Sequence, residues 1–96
     1  MDYRILSGVR RAKAHELEGR ATVTARIMRA GRTLSIEEVP VADLWSRKTE
    51  LDHSDPIERY RLDRVRLSLR DGRTTDPIEV EAGTDRVRLC DVQIVY

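Results

Sequence analysis

The chain has no phenylalanine and only one tryptophan, so its core must be aliphatic, built from Val, Leu, Ile, Ala and Met. Cys90 is the single cysteine. No internal disulfide can form, and a reducing, cytoplasmic setting is expected. His15 and His53 lie far apart, and together with one cysteine they make no metal-ligand spacing, so no metal or other cofactor is expected. No apolar run approaches the ~18 residues of a membrane-spanning helix, and the first twenty residues lack the apolar stretch of a secretory signal. Lysine is also scarce, two residues against sixteen arginines. The cationic surface is therefore made of planar guanidinium groups, which bind carboxylate and phosphate in a bidentate way.

What is present fits one folded domain of 96 residues. Charged residues make up 36% of the chain, yet apolar residues recur at short regular spacing throughout, which favours a packed core over disorder. Charge is unevenly spread. Residues 1–32 hold eight basic and three acidic side chains, and residues 33–96 hold ten and fourteen. The first third is thus a basic segment suited to meeting phosphate or an acidic partner.

Periodicity sets the expected elements. "GVRRAKAHELEGR" reads as a helix with Ser7 as cap and Gly19 as its end. Val23, Ala25 and Ile27 alternate, "RAGR" turns at Gly31, and Leu34 and Ile36 alternate again, which is a hairpin pattern. A helical spacing also links Ala14, Leu17, Ala21, Ala25 and Met28, but Gly19 and "TVT" oppose it. The alternation slips at Glu37 and Glu38, the mark of a bulge or the start of an edge strand, and resumes through Val39, Val41 and Leu44. A polar loop follows to Asp55-Pro56, where Ser54 or Asp55 can cap a helix with Pro56 in its first turn. Residues from Ile57 to Leu69 carry both helical and strand spacings. The proline start and the Asp71-Gly72 stop favour the helix. Pro77 then opens a strand through Ile78 and Val80, and "RVRLCDVQIVY" reads as a terminal strand. The expected fold is α+β: a small mixed sheet with an N-terminal helix and hairpin and one central helix.

"SIEEVPVADLW", a polar loop, a helix ending "SLRDG", the strand "DPIEV" and then "RVRLCD" together resemble the ParB/sulfiredoxin N-terminal domain. The resemblance covers residues 33 to 91, leaving 1–32 as a separate basic helix and hairpin. It implies a helix between strands, then a strand leading into an Asp-Gly-x-His-Arg or Gly-Glu-Arg-Arg phosphate-binding turn and a further helix. After Asp91 this chain has "VQIVY", without the glycine, the basic residues or the helix. The family's nucleotide chemistry is therefore not carried over, and Cys90, which precedes the turn's position, takes no catalytic role.

The remaining sites have plain readings. Glu37 and Glu38 point to opposite faces of a strand and form a solvated edge. Cys90 is expected in the core, and His53, beside Asp52, on the surface. The most suggestive group is Arg10, Arg11, Lys13, Arg20, Arg26, Arg29 and Arg32, a candidate nucleic-acid surface, though aromatic residues for base stacking are missing among them. The expected function is a non-catalytic ParB-like domain that binds DNA or an acidic protein. The alternative is a small interaction module of inhibitor or antitoxin type. The apolar terminal strand is suited to pairing with a copy of itself or with a partner.

Overall fold

The fold, seen in a computed structural model that describes residues 1–84 and 86–96, is α+β. Strand β1 (Tyr3–Ser7) leads to helix α1 (Val9–Leu17), then to the hairpin β2 (Thr22–Arg29) and β3 (Arg32–Pro40). Strands β4 (Leu44–Trp45) and β5 (Glu50–Asp52) follow, then α2 (Pro56–Arg70), β6 (Ile78–Ala82) and β7 (Gln93–Val95). The main sheet has the order β3-β2-β6-β1-β4, and β5 pairs in parallel with β7 in a separate small sheet.

Helix α1 lies between the main sheet and α2, and small residues allow it. Ala12 packs into the sheet's core with Ile5, Val23, Ala25, Ile78 and Val80, while Ala14 packs with Leu62 and Leu69 of α2. Both alanines are fully buried. The core is aliphatic except for Trp45, which is also buried. Each fully buried Leu, Ile or Val contributes roughly 1.5–3 kcal/mol by leaving water. The opposite face of the sheet carries charge: Arg4 bonds Glu81 at 3.2 Å, and Arg26 lies beside Glu79 in the register.

The expected punctuation is largely borne out. Gly19 sits in the left-handed region and ends α1, with the Arg20 amide donating to the His15 carbonyl at 2.9 Å. The hairpin closes through Ala30 and Gly31, both at positive φ, which makes a two-residue turn of type I′. The segment around Tyr60 is helical. The Asp55 side chain accepts from the Ile57 amide at 2.8 Å, and Gly72 ends the helix.

Several expectations are corrected. Ser7 is the last residue of β1, and Gly8 stands at the helix cap with no side-chain cap bond. The bulge falls at Leu34, because Ile27 pairs with Ser35 and Met28 with Thr33; Glu37 and Glu38 pair regularly on what is indeed an edge strand. Val41 begins a 3-10 turn rather than continuing the strand, since Pro40 bends the chain. Residues 50–52, expected in a loop, form β5 because Leu51 is buried against the core. Residues 89–91 form a 3-10 turn that seats Leu89 inward and turns Cys90 out to solvent. His53 is buried, its ring edge-on to Tyr96 with centroids 5.5 Å apart. Among the described residues, no helix is long and apolar enough to cross a membrane.

Candidate anion-binding site

The seven basic residues of the sequence reading are not one surface. Strands β2 and β6 run parallel, with Ala25 beside Ile78, and β1 runs against β6, with Ser7 beside Glu79. Arg10, Arg11 and Arg20 therefore lie at the end of the sheet where β6 begins. Arg29 and Arg32, paired across the hairpin turn, leave from the other end, and Arg26 lies on the open face between.

Those on α1 are held by the protein itself. Arg10 pairs with Glu58 of α2. Arg11 donates to the carbonyls of Asp76 at 3.1 Å and Pro77 at 2.9 Å. Lys13 is buried, its ammonium 2.7 Å from Glu16 and 3.2 Å from the Leu89 carbonyl. Arg20 is exposed along most of its length, and its tip donates to the carbonyl of Leu69. Arg26, Arg29 and Arg32 are exposed and take no part in the ion pairs formed among the described residues.

The first end of the sheet has the more organised chemistry. Gly8 joins β1 to α1 at φ 99°, a conformation that side-chain-bearing residues rarely adopt. It also packs so closely on β6 that a Cβ would lie 2.8 Å from Ile78 Cγ2. The first turn of α1 has neither a side-chain cap nor an acidic residue, so its free amides and the positive end of the helix dipole stay uncompensated.

At the other end of α1, between His15, the start of β2 and the loop before β6, is a cleft of about 330 Å³. Arg20, Arg73 and Thr74 supply donors to its lining, and Glu38 closes one side. Glu38 is satisfied by the hydroxyls of Thr24 and Thr22, the latter at 3.0 Å. His15 Nδ1 lies 2.6 Å from the Arg11 carbonyl. A carbonyl only accepts, so Nδ1 carries the proton, and Nε2 faces the Thr75 hydroxyl at 3.5 Å. The cleft therefore presents two guanidinium groups and the Thr74 hydroxyl around one small volume, opposite a Glu38 carboxylate already satisfied by threonine hydroxyls, a setting for an anion.

Two other clefts differ in chemistry. One of about 680 Å³ is lined mainly by apolar groups, among them Val41, Leu44, Leu89 and Cys90. Another gathers Glu50, Asp52, Asp55 and Glu58 with Lys48, and its charge repels anions. The Ser54 hydroxyl and amide hold the Asp52 carboxyl below the usual carboxylate range. Among the described residues, no group of three His, Cys, Asp or Glu side chains converges as a metal site.

Arg73, Thr74, Thr75, His15 and Gly8 were not singled out as site residues. The signal for Gly8 was present in "ILSGVRRAK", an apolar strand followed by glycine, two arginines and a helix. It lies at the opposite end of the chain from Asp91, where such a turn was sought. Comparison with protein-family models, with curated proteins and with solved structures found no match.

Proposed function

We propose that this chain is a ParB-like domain that binds the phosphate of a nucleotide or nucleic acid without catalysing a reaction, and that its phosphate-binding turn is Gly8–Arg11. The reading rests on one observation. Gly8, left-handed and packed on Ile78, joins β1 to α1 directly before Arg10 and Arg11. In space the order is β6, its neighbour β1, the glycine, two arginines and a helix. The resemblance implies that same order within one continuous stretch; here it runs from the C-terminal part of the chain to its N-terminus. The cleft by His15, with Arg20 and Arg73, receives the ligand's charge, and the pinned Arg10 and Arg11 hold the turn in shape.

Titration calorimetry with CTP and ATP, and anisotropy with duplex DNA over a range of salt, separate the two sources of phosphate. Saturable binding is expected, with the Arg20→Ser and Arg73→Ser variants each weakened about tenfold through loss of a charge-assisted hydrogen bond. DNA binding should fall steeply as salt rises. No binding of any of the three at low salt, or binding indifferent to both substitutions, overturns the proposal. A second reading, a protein-interaction module, is favoured by Ile57, Tyr60 and Leu67, which stand exposed along α2. It takes over if neither nucleotide nor DNA binds.

A further inference from the structure

Arg4 of β1 lies in register with Glu81 of β6 on one side and Trp45 of β4 on the other. The three form a row across the sheet on the face away from α1, because their strand neighbours Ile5, Val80 and Leu44 fill the core on the opposite face. Trp45 is nevertheless only 4% exposed. The chain after β6 runs back past it: Trp45 bridges to Arg88, and the Ser46 amide donates to the Val87 carbonyl at 3.1 Å. Against this row lies a cleft of about 220 Å³, lined also by Arg47, Gly83, Thr84 and Arg86.

The chemistry of this cleft is one-sided. The Trp45 indole nitrogen and Arg4 Nε are buried and have no hydrogen-bond partner. Each carries an N–H that can only donate, so the missing group is an acceptor, and a buried donor without one is costly. Arg47 and Arg86 are exposed and take no part in the ion pairs formed among the described residues. Glu81 is already engaged by Arg4 Nη2 at 3.2 Å. Among the described lining residues, three guanidinium groups stand against one carboxylate, a balance of +2. Gly83 keeps the space beside the indole open: a Cβ there would lie 3.7 Å from Trp45 Cζ2, a ring carbon two bonds from the nitrogen.

We propose that this cleft binds a dianionic phosphate group. Its oxygens accept from Trp45 Nε1 and Arg4 Nε, and from Arg47 and Arg86, whose exposed side chains rearrange around the ion and open the two buried nitrogens to it. Water would meet the donors and leave the charge; a carboxylate would balance half of it. The volume lies below the roughly 300–1,000 Å³ of sites for drug-sized ligands, so the occupant is a free ion or a small ester rather than a whole nucleotide. The site is separate from the cleft by His15, since no described residue lines both.

Trp45 is the one tryptophan of the chain, so its indole N–H gives a single resonance in a proton–nitrogen correlation spectrum. Inorganic phosphate is titrated into the full chain at about pH 8, where the ion is mostly dianionic, with ionic strength held constant by chloride. The indole resonance should move and saturate. Arg47→Ser and Arg86→Ser, at exposed positions, should each weaken binding about tenfold, and Arg20→Ser should leave it unchanged. Trp45→Phe, with folding verified by circular dichroism, should weaken phosphate about fivefold in calorimetry through loss of the N–H alone. Phenyl phosphate distinguishes the two sources: binding as tight as that of the free ion identifies an ester as the occupant, weaker binding identifies the free ion, and either upholds the site. An indole resonance unmoved at tens of millimolar phosphate overturns the proposal. So does a shift that chloride alone reproduces, one that Arg47→Ser and Arg86→Ser both leave intact, or acetate bound as tightly as phosphate.

Discussion

Arg10, Arg11 and Lys13 on α1 and Arg26, Arg29 and Arg32 on the hairpin come from the same basic third of the chain, yet they do different work. The first group turns inward and holds elements together: α1 to α2 through Glu58, α1 to the entry of β6 through the Pro77 carbonyl, and α1 to the 89–91 turn through the Leu89 carbonyl. The second group stands in water without an ion pair among the described residues. A basic stretch is therefore not a surface until the fold has assigned each side chain a direction. What remains available for a ligand near α1 is the pair Arg20 and Arg73, of which Arg73 lies outside the basic third.

The largest break in this comparison should come at the α1 end, from Gly8→Val. The left-handed backbone and the contact with Ile78 both penalise the new side chain, at an expected cost of about 3 kcal/mol in a urea unfolding curve. Next is Glu16→Ala, which leaves the buried Lys13 ammonium with only the Leu89 carbonyl. About 2 kcal/mol of lost stability is expected, because Glu16 itself is partly solvated.

A smaller, pH-dependent effect is expected at Glu18. Hydrogen bonds from Arg70 and then Arg66 hold its carboxyl below the ordinary glutamate range. A carboxyl lowered on folding stabilises the protein above its unfolded-state value, near 4.5, and that contribution is lost as pH falls through the lower folded value. Urea midpoints taken downward from pH 5 should therefore fall less steeply in Glu18→Gln than in the wild type. The smallest effect on stability belongs to Arg29→Ser with Arg32→Ser, expected within about 0.5 kcal/mol of wild type. The same pair should leave CTP and ATP binding unchanged. A large loss of stability there would erase the distinction between the two groups.

The elements were legible wherever local chemistry decides them. Asp55-Pro56 announced α2, Gly72 its end, Gly19 the end of α1, and Gly31 the hairpin turn. Strand β1 was missed because "YRILS" is short and its last residue, Ser7, offers a helix cap instead. Strand β5 was missed because its three residues are strand only by virtue of β7, some forty residues further on. Cys90 and His53 changed places between core and surface for a similar reason. A 3-10 turn carries Cys90 outward, and the pairing of β5 with β7 draws His53 under Tyr96.

By itself the amino-acid sequence determined the largely aliphatic core, the two helices with their C-terminal stops and the hairpin, because caps, turns and periodicity act between residues a few positions apart. Only the tertiary structure decided that β1 lies beside β6, that Gly8 packs on Ile78, and that the threonine loop before β6 meets α1. Those contacts join residues about seventy positions apart, and burial of the shared core, rather than any local preference, brings them together.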